Sequence, residues 1–121
     1  MTPVERNEAV LSMPAVRAGS LGQRQEDFAL MVTLLLIELH DRGYQVRLGH
    51  AMRCDDCKVG KEKSLHKKKL AIDLNLFRDG KYLTSTEDHR PLGEYWEGLG
   101  GSWGGRWSDG NHYSLEWNGL K

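Results

Sequence analysis

From Leu21 to about Arg42 the chain repeats apolar residues at helical spacing, with Phe28, Met31, Val32, Leu35 and Leu39 on one stripe. Ser20 can cap this helix and Gly43 can stop it. Leu34, Leu36 and Ile37 widen the stripe and predict burial on more than one side. The pattern then changes to a period of two: YQVRLGHAM, Tyr44 to Met52, alternates Tyr44, Val46 and Leu48 with Gln45 and Arg47, which predicts a strand that Gly49 kinks or bulges.

A second alternating run covers Leu70 to Phe77. Leu70, Ile72, Leu74 and Leu76 share one face, and Ala71, Asp73, Asn75 and Phe77 share the other. Asp79-Gly80 predicts a hairpin turn into a short strand through Lys81, Tyr82 and Leu83. Thr86 to Gly98 reads as a short helix with a Thr/Asp cap and Pro91 in its first turn. After the loop GGSWGGRWSDGN, the strand HYSLEW sets His112, Ser114 and Glu116 opposite Tyr113, Leu115 and Trp117. The order predicts a small α+β domain, helices packed on one antiparallel sheet. Residues 1–19, with Pro3, Pro14 and Gly19 among charges and no sustained period, are expected to form an N-terminal arm, and residues 20–121 a single domain.

Composition removes several classes of function. Lys+Arg and Asp+Glu are both 17, so no global charge drives binding to nucleic acid or to an anionic membrane. The apolar stretch Ala29–Ile37 is far short of the roughly 20 residues of a membrane span. Glu5, Arg6 and Glu8 stand where a signal peptide would have its basic start and apolar core, so no export signal is expected. Cys54 and Cys57 make one Cys-x-x-Cys pair, and no second pair at finger-like spacing completes a structural zinc site. KVGKEK after Cys57 is a poor helix entry for a thioredoxin-like motif. The pair reads as reduced surface thiols or a local staple in a polar loop from Cys54 to Ser64.

A catalytic zinc needs three protein ligands, an open position for water and an acid/base group within reach of that water. Asp73 is a carboxylate inside an apolar strand, costly to bury unless a cation or metal compensates it. His66 stands at the end of the preceding loop. His112 opens the last strand, and Asp109 lies three residues before it across a Gly-Asn turn that can fold the carboxylate beside the imidazole. From the residues alone, Asp73 can equally pair with a lysine or face solvent, and DGNH can be an ordinary turn with a capping aspartate.

Taken together, the two halves are more specific. SLHKKKLAID resembles the S-x-H-x-x-G-x-A-x-D signature of the D-alanyl-D-alanine carboxypeptidase and L-alanyl-D-glutamate endopeptidase family of zinc peptidases, which includes many phage endolysins. WGGRWSDGNHYSLEW is similar to that family's closing motif, in which a tryptophan and two glycines precede an acidic residue, two spacers and a histidine. The resemblance runs from about Leu21 to the C-terminus and implies a fold like that of the hedgehog and D-Ala-D-Ala peptidases. It implies one Zn2+ per chain held by His66, Asp73 and His112, Asp109 as general base, and Arg53 neutralising a substrate carbonyl oxygen or carboxylate. Ser64 matches the signature serine, expected to hydrogen-bond substrate or the framework of the site. Two positions depart from the pattern: Lys69 replaces the signature glycine, and Asp109 stands where many members carry glutamate.

The activity implied is metal-assisted hydrolysis of peptidoglycan stem peptides by a monomer, as an endolysin-type endopeptidase cutting between L-alanine and D-glutamate. Such a protein is expected in the host cytoplasm without stable membrane association, reaching the wall after release. A D,D-carboxypeptidase or dipeptidase, and a non-catalytic wall-binding or zinc-binding module, are the alternatives. Around the site, Trp103 and Trp107, with Trp96, are weaker candidates for walling a substrate groove. Lys67, Lys68 and Lys69 are candidates for its cationic rim. His40, His50 and His89 match no ligand position, with His50 and His89 as outside candidates for lining the cleft.

Overall fold

The computed structural model describes residues 19–49, 65–66 and 68–121. Arg53, Ser64, Cys54, Cys57, His50, Lys67 and most of the N-terminal arm lie outside the described residues. Among the described residues the architecture is α+β: two α-helices against a five-stranded antiparallel sheet. Among the described residues no helix is long and apolar enough to cross a membrane.

Helix α1 spans Leu21–Asp41 and opens on a reciprocal capping box. Gln23 N–H donates to Ser20 Oγ at 3.2 Å, and Ser20 N–H donates to Gln23 Oε1 at 2.9 Å. Such caps are worth about 1 kcal/mol. The helix ends in a Schellman motif: Gly43, at φ 88°, lets Tyr44 N–H reach Leu39 O and Gly43 N–H reach His40 O. Met31, Leu35 and Leu39 are fully buried. Leu34 is buried as the wider stripe predicts, but Ile37 is 39% exposed, so the helix buries one broad face and keeps a solvent side.

Strand β2 (Ala71–Arg78) is the spine of the sheet. Its second half pairs with β1 (Gln45–Leu48) on one edge; the other edge carries β5 (His112–Ser114) and then β3 (Lys81–Leu83). The β2–β3 turn places Asp79 at φ 52° and Gly80 at φ 78°, the two positive values that a type I′ hairpin requires. Gly49 N–H donates to Asp73 O at 2.8 Å, and a Cβ at Gly49 would stand 3.1 Å from both that oxygen and Asp73 Cβ. The predicted strand thus gives way at Gly49 to a close backbone approach.

Helix α2 (Thr86–Gly98) is capped by Ser85, not by Thr86, with Asp88 closing the box. Pro91 accordingly sits in the second turn, one turn later than expected. Trp96 is fully buried and ties α2 to the sheet: its indole N–H lies 3.1 Å from Ser102 O and 2.9 Å from Ser114 O. Its ring meets Phe28 and Tyr113 edge-on. Burying an aromatic side chain of this size contributes on the order of 4–6 kcal/mol before entropy.

The stretch GGSWGGRWSDGN, expected as a loop, contains β4 (Ser102–Trp103) and a 3-10 turn (Gly104–Trp107). Its strand adds to β5 and makes the sheet order β1-β2-β5-β4. The HYSLEW strand is correspondingly shorter than predicted and ends at Ser114, after which Trp117 pairs with Leu120 in an isolated bridge.

Candidate metal centre

Three elements bring His66, Asp73 and His112 together. In the β2–β5 register Asp73 and His112 are direct partners, so the period-two alternation puts both side chains on the face opposite Ile72 and Tyr113. His66 reaches the same face through a tight turn: Leu70 N–H and Lys68 N–H both donate to Leu65 O. Buried Leu65 and Leu70 anchor the turn in the core, while Gln25 from α1 donates to Lys68 O at 2.9 Å.

The turn depends on Lys69. Its φ is 59°, the left-handed conformation that glycine adopts without steric cost. The departure from the glycine pattern therefore changes the side chain and keeps the backbone shape. Lys68 and Lys69 are exposed.

Asp73 Oδ1 lies 3.4 Å from His66 Nε2 and 3.7 Å from His112 Nδ1, and the three ligand atoms fall within 4.8 Å of one another. The two imidazole rings stand 5.3 Å apart at 72°. Zinc bonds of about 2.0–2.2 Å in tetrahedral array put neighbouring donors roughly 3.3–3.5 Å apart. The two Asp73 separations are close to that spacing, and two imidazole nitrogens with a carboxylate oxygen suit a borderline-soft divalent ion, so the cluster can hold one. Burial by itself would raise the Asp73 carboxyl, but the His112 and His66 imidazoles beside it outweigh that and hold it well below the usual carboxylate range. Among the described residues, the partners of Asp73 are thus the two histidines.

Asp109 is half-exposed, with Oδ2 4.0 Å from His112 Nδ1. It stands beside the ligand cluster without belonging to it. Its loop is fixed from below: Asp109 N–H donates to Gly104 O at 2.8 Å, His112 N–H to Asp109 O at 3.1 Å and Leu74 N–H to Asn111 O at 2.9 Å.

Trp103, expected at the substrate groove, is fully buried, and its indole N–H donates to Gly110 O at 2.8 Å. Wedged against Gly93 and Gly105, with the Arg90 and Arg106 guanidiniums over its ring, it is a core residue that holds the Asp109 loop. Trp107 is 44% exposed and its ring lies 5.7 Å from that of His112, at the rim of the site.

A cleft of about 230 Å³ opens beside Asp109, between the β3–α2 junction and the Asp109 loop. Tyr82, Thr84, Ser85, Thr86, His89, Ser108 and Asn111 contribute to its walls. Burial pushes the His89 imidazole down to about 4, against a smaller opposing pull from Asp88, and burial raises the Tyr113 hydroxyl. Of these walls sequence reasoning offered only His89, as an outside candidate; the others are hydroxyl and amide residues of an ordinary capping segment and turn, which carry no signal.

Residues 58–115 match a family model described as D-alanyl-D-alanine carboxypeptidase. The match covers just under half of the chain and includes His66, Asp73, Asp109 and His112. No curated protein matches the chain. The chain is therefore similar to a peptidase family over the segment that builds the metal cluster.

Proposed function

We propose that this protein is a zinc-dependent peptidase that hydrolyses peptidoglycan stem peptides, acting as an endolysin-type endopeptidase between L-alanine and D-glutamate. The observation that carries the reading is the His66, Asp73 and His112 cluster with the half-exposed Asp109 4.0 Å from His112. His66, Asp73 and His112 would hold the ion. A zinc ion so bound supplies Lewis acidity and brings the pKa of a water toward about 7.

Asp109 has the reach and exposure to take a proton from the attacking water. Protonated, it then delivers that proton to the leaving amine, so one carboxylate serves both halves of the reaction. Arg53 is proposed to share the charge that develops on the carbonyl oxygen, where electrostatic stabilisation counts most. Ser64, Lys69 and Trp107 are proposed to contact substrate around the rim.

The family description favours a second reading, a D,D-carboxypeptidase on the same centre. Digestion of purified muropeptides followed by mass spectrometry separates them. Endopeptidase action removes the stem peptide after L-alanine, whereas carboxypeptidase action releases free D-alanine. Cleavage that a chelator leaves undiminished, in protein shown to carry no metal, would remove the metal from the proposal.

A further inference from the structure

The cleft beside Asp109 contains a buried group that the reading above leaves unused. His89 is 3% exposed and lines the cleft, with Nδ1 2.9 Å from the Tyr113 hydroxyl. Tyr113 is fully buried, and among the described residues its hydroxyl has no other hydrogen-bond partner. A buried O–H needs an acceptor, and a neutral imidazole offers one nitrogen for that role. The Tyr113 hydroxyl therefore donates to Nδ1, and the ring proton resides on Nε2. With the imidazole held down to about 4, the ring is neutral at neutral pH.

Among its described lining residues the cleft is uncharged apart from Asp109: they include hydroxyls and the Asn111 amide but no lysine or arginine. A free carboxylate there would face Asp109 with no counter-ion among these residues, whereas an amide carbonyl needs only a donor. Asp109 also fixes which side of the substrate lies here, because the group that protonates the leaving amine stands on the leaving-group side.

We propose that this cleft is the leaving-group subsite, and that His89, its tautomer set by Tyr113, donates its Nε2 hydrogen to the first amide carbonyl beyond the scissile nitrogen. The inference rests on the peptidase reading and sharpens it. Substrates whose peptide continues past that carbonyl are selected over substrates that end there in a carboxylate. In an L-alanyl-D-glutamyl stem the carbonyl is the γ-carbonyl of D-glutamate.

The test compares binding of N-acetyl-L-alanyl-D-glutamine and N-acetyl-L-alanyl-D-glutamate to the zinc-supplemented protein, with imidazole nitrogen NMR to read the His89 tautomer. His89 should carry its proton on Nε2 in the free protein, and that signal should move with the D-glutamine peptide. A carboxylate beside Asp109 should make the D-glutamate peptide roughly tenfold weaker. A carboxylate accepts a hydrogen bond as readily as an amide carbonyl, so the His89 donor is read on the D-glutamine peptide. His89→Gln, which keeps a donor, should retain that peptide's affinity; His89→Leu, which loses one neutral hydrogen bond, should bind it roughly five- to tenfold more weakly while still binding zinc. A proton on Nδ1, equal or no binding of the two peptides, or unchanged affinity for the D-glutamine peptide in His89→Leu overturns the subsite. His89-dependent binding in a protein that cleaves no muropeptide leaves the subsite standing and removes the peptidase reading instead.

Discussion

Asp73 and His112 face each other as direct partners across β2 and β5, with Asp73 Oδ1 3.7 Å from His112 Nδ1. A slip of one residue in that register would send His112 to the core side and dissolve the cluster. The metal centre is thus a property of strand pairing, and His66 is added to it by the turn before β2.

His66→Ala and Asp73→Asn should each lose bound zinc and lower peptide cleavage by more than the roughly 10- to 100-fold typical of residues behind the ligands. Metal content of the purified variants checks this directly. One retained zinc equivalent in both variants would move the metal elsewhere, for example to Cys54 and Cys57.

Asp109→Ala should separate metal from catalysis. Zinc content should match the unaltered protein, while kcat falls by roughly 100- to 10,000-fold, the usual contribution of a positioned acid/base group. Full lytic activity in this variant would show that another group moves the proton.

Lys69→Gly should stabilise the fold by about 0.5–1 kcal/mol. A non-glycine residue in the left-handed region costs about 1–2 kcal/mol, partly offset here by the greater freedom of glycine in the unfolded chain. Lys69→Val, stiff at Cβ, should destabilise. Denaturant unfolding of the three proteins reads both signs, and equal midpoints would mean that the turn is not held in this conformation.

Gly93→Ala should destabilise by about 2–4 kcal/mol. The added Cβ would stand 2.1 Å from the Trp103 ring, which is enclosed in the core and cannot yield cheaply. Gly98→Ala, with open space around its Cβ, should cost nothing comparable. A thermal melt of the pair tests whether Trp103 is as tightly held as the Asp109 loop requires.

His89 should contribute an acid-side slope to stability. Its folded pKa of about 4 lies below the ordinary 6.5, so the unfolded chain binds more protons between those values. The stabilisation is complete above about pH 6.5 and is lost as pH falls toward 4. His89→Gln should flatten that window by about one proton, measured as denaturant midpoint against pH. An unchanged slope would mean that His89 is accessible to protonation in the folded protein.

Much of this was legible in the chain itself. Met31, Leu35 and Leu39 announce α1, the alternation from Leu70 to Phe77 announces β2, and Asp79-Gly80 announces the hairpin, because each signal is local and set by backbone periodicity. Metal chemistry at His66, Asp73 and His112 was implied by the resemblance of SLHKKKLAID and WGGRWSDGNHYSLEW to a zinc-peptidase signature, not by periodicity, since the residues alone left Asp73 and the DGNH turn open. Ser85 was missed as the cap because three consecutive residues, Ser85, Thr86 and Glu87, precede Asp88 and pattern alone leaves the frame open by one. Strand β4 was missed because two residues between glycines have no period, and only pairing with β5 makes them a strand.

The sequence by itself determined the chemistry on offer: two imidazoles, a carboxylate in an apolar strand, a second carboxylate in a turn, and a lysine where the turn favours glycine. Tertiary structure decided their use. Pairing of β2 with β5 chose which side chains share a face, and burial of Trp103 fixed the Asp109 loop instead of opening a groove. Contact between α2 and β5 set His89 against Tyr113. Each of these joins residues distant in the chain, where local periodicity carries no information and packing alone selects the partners.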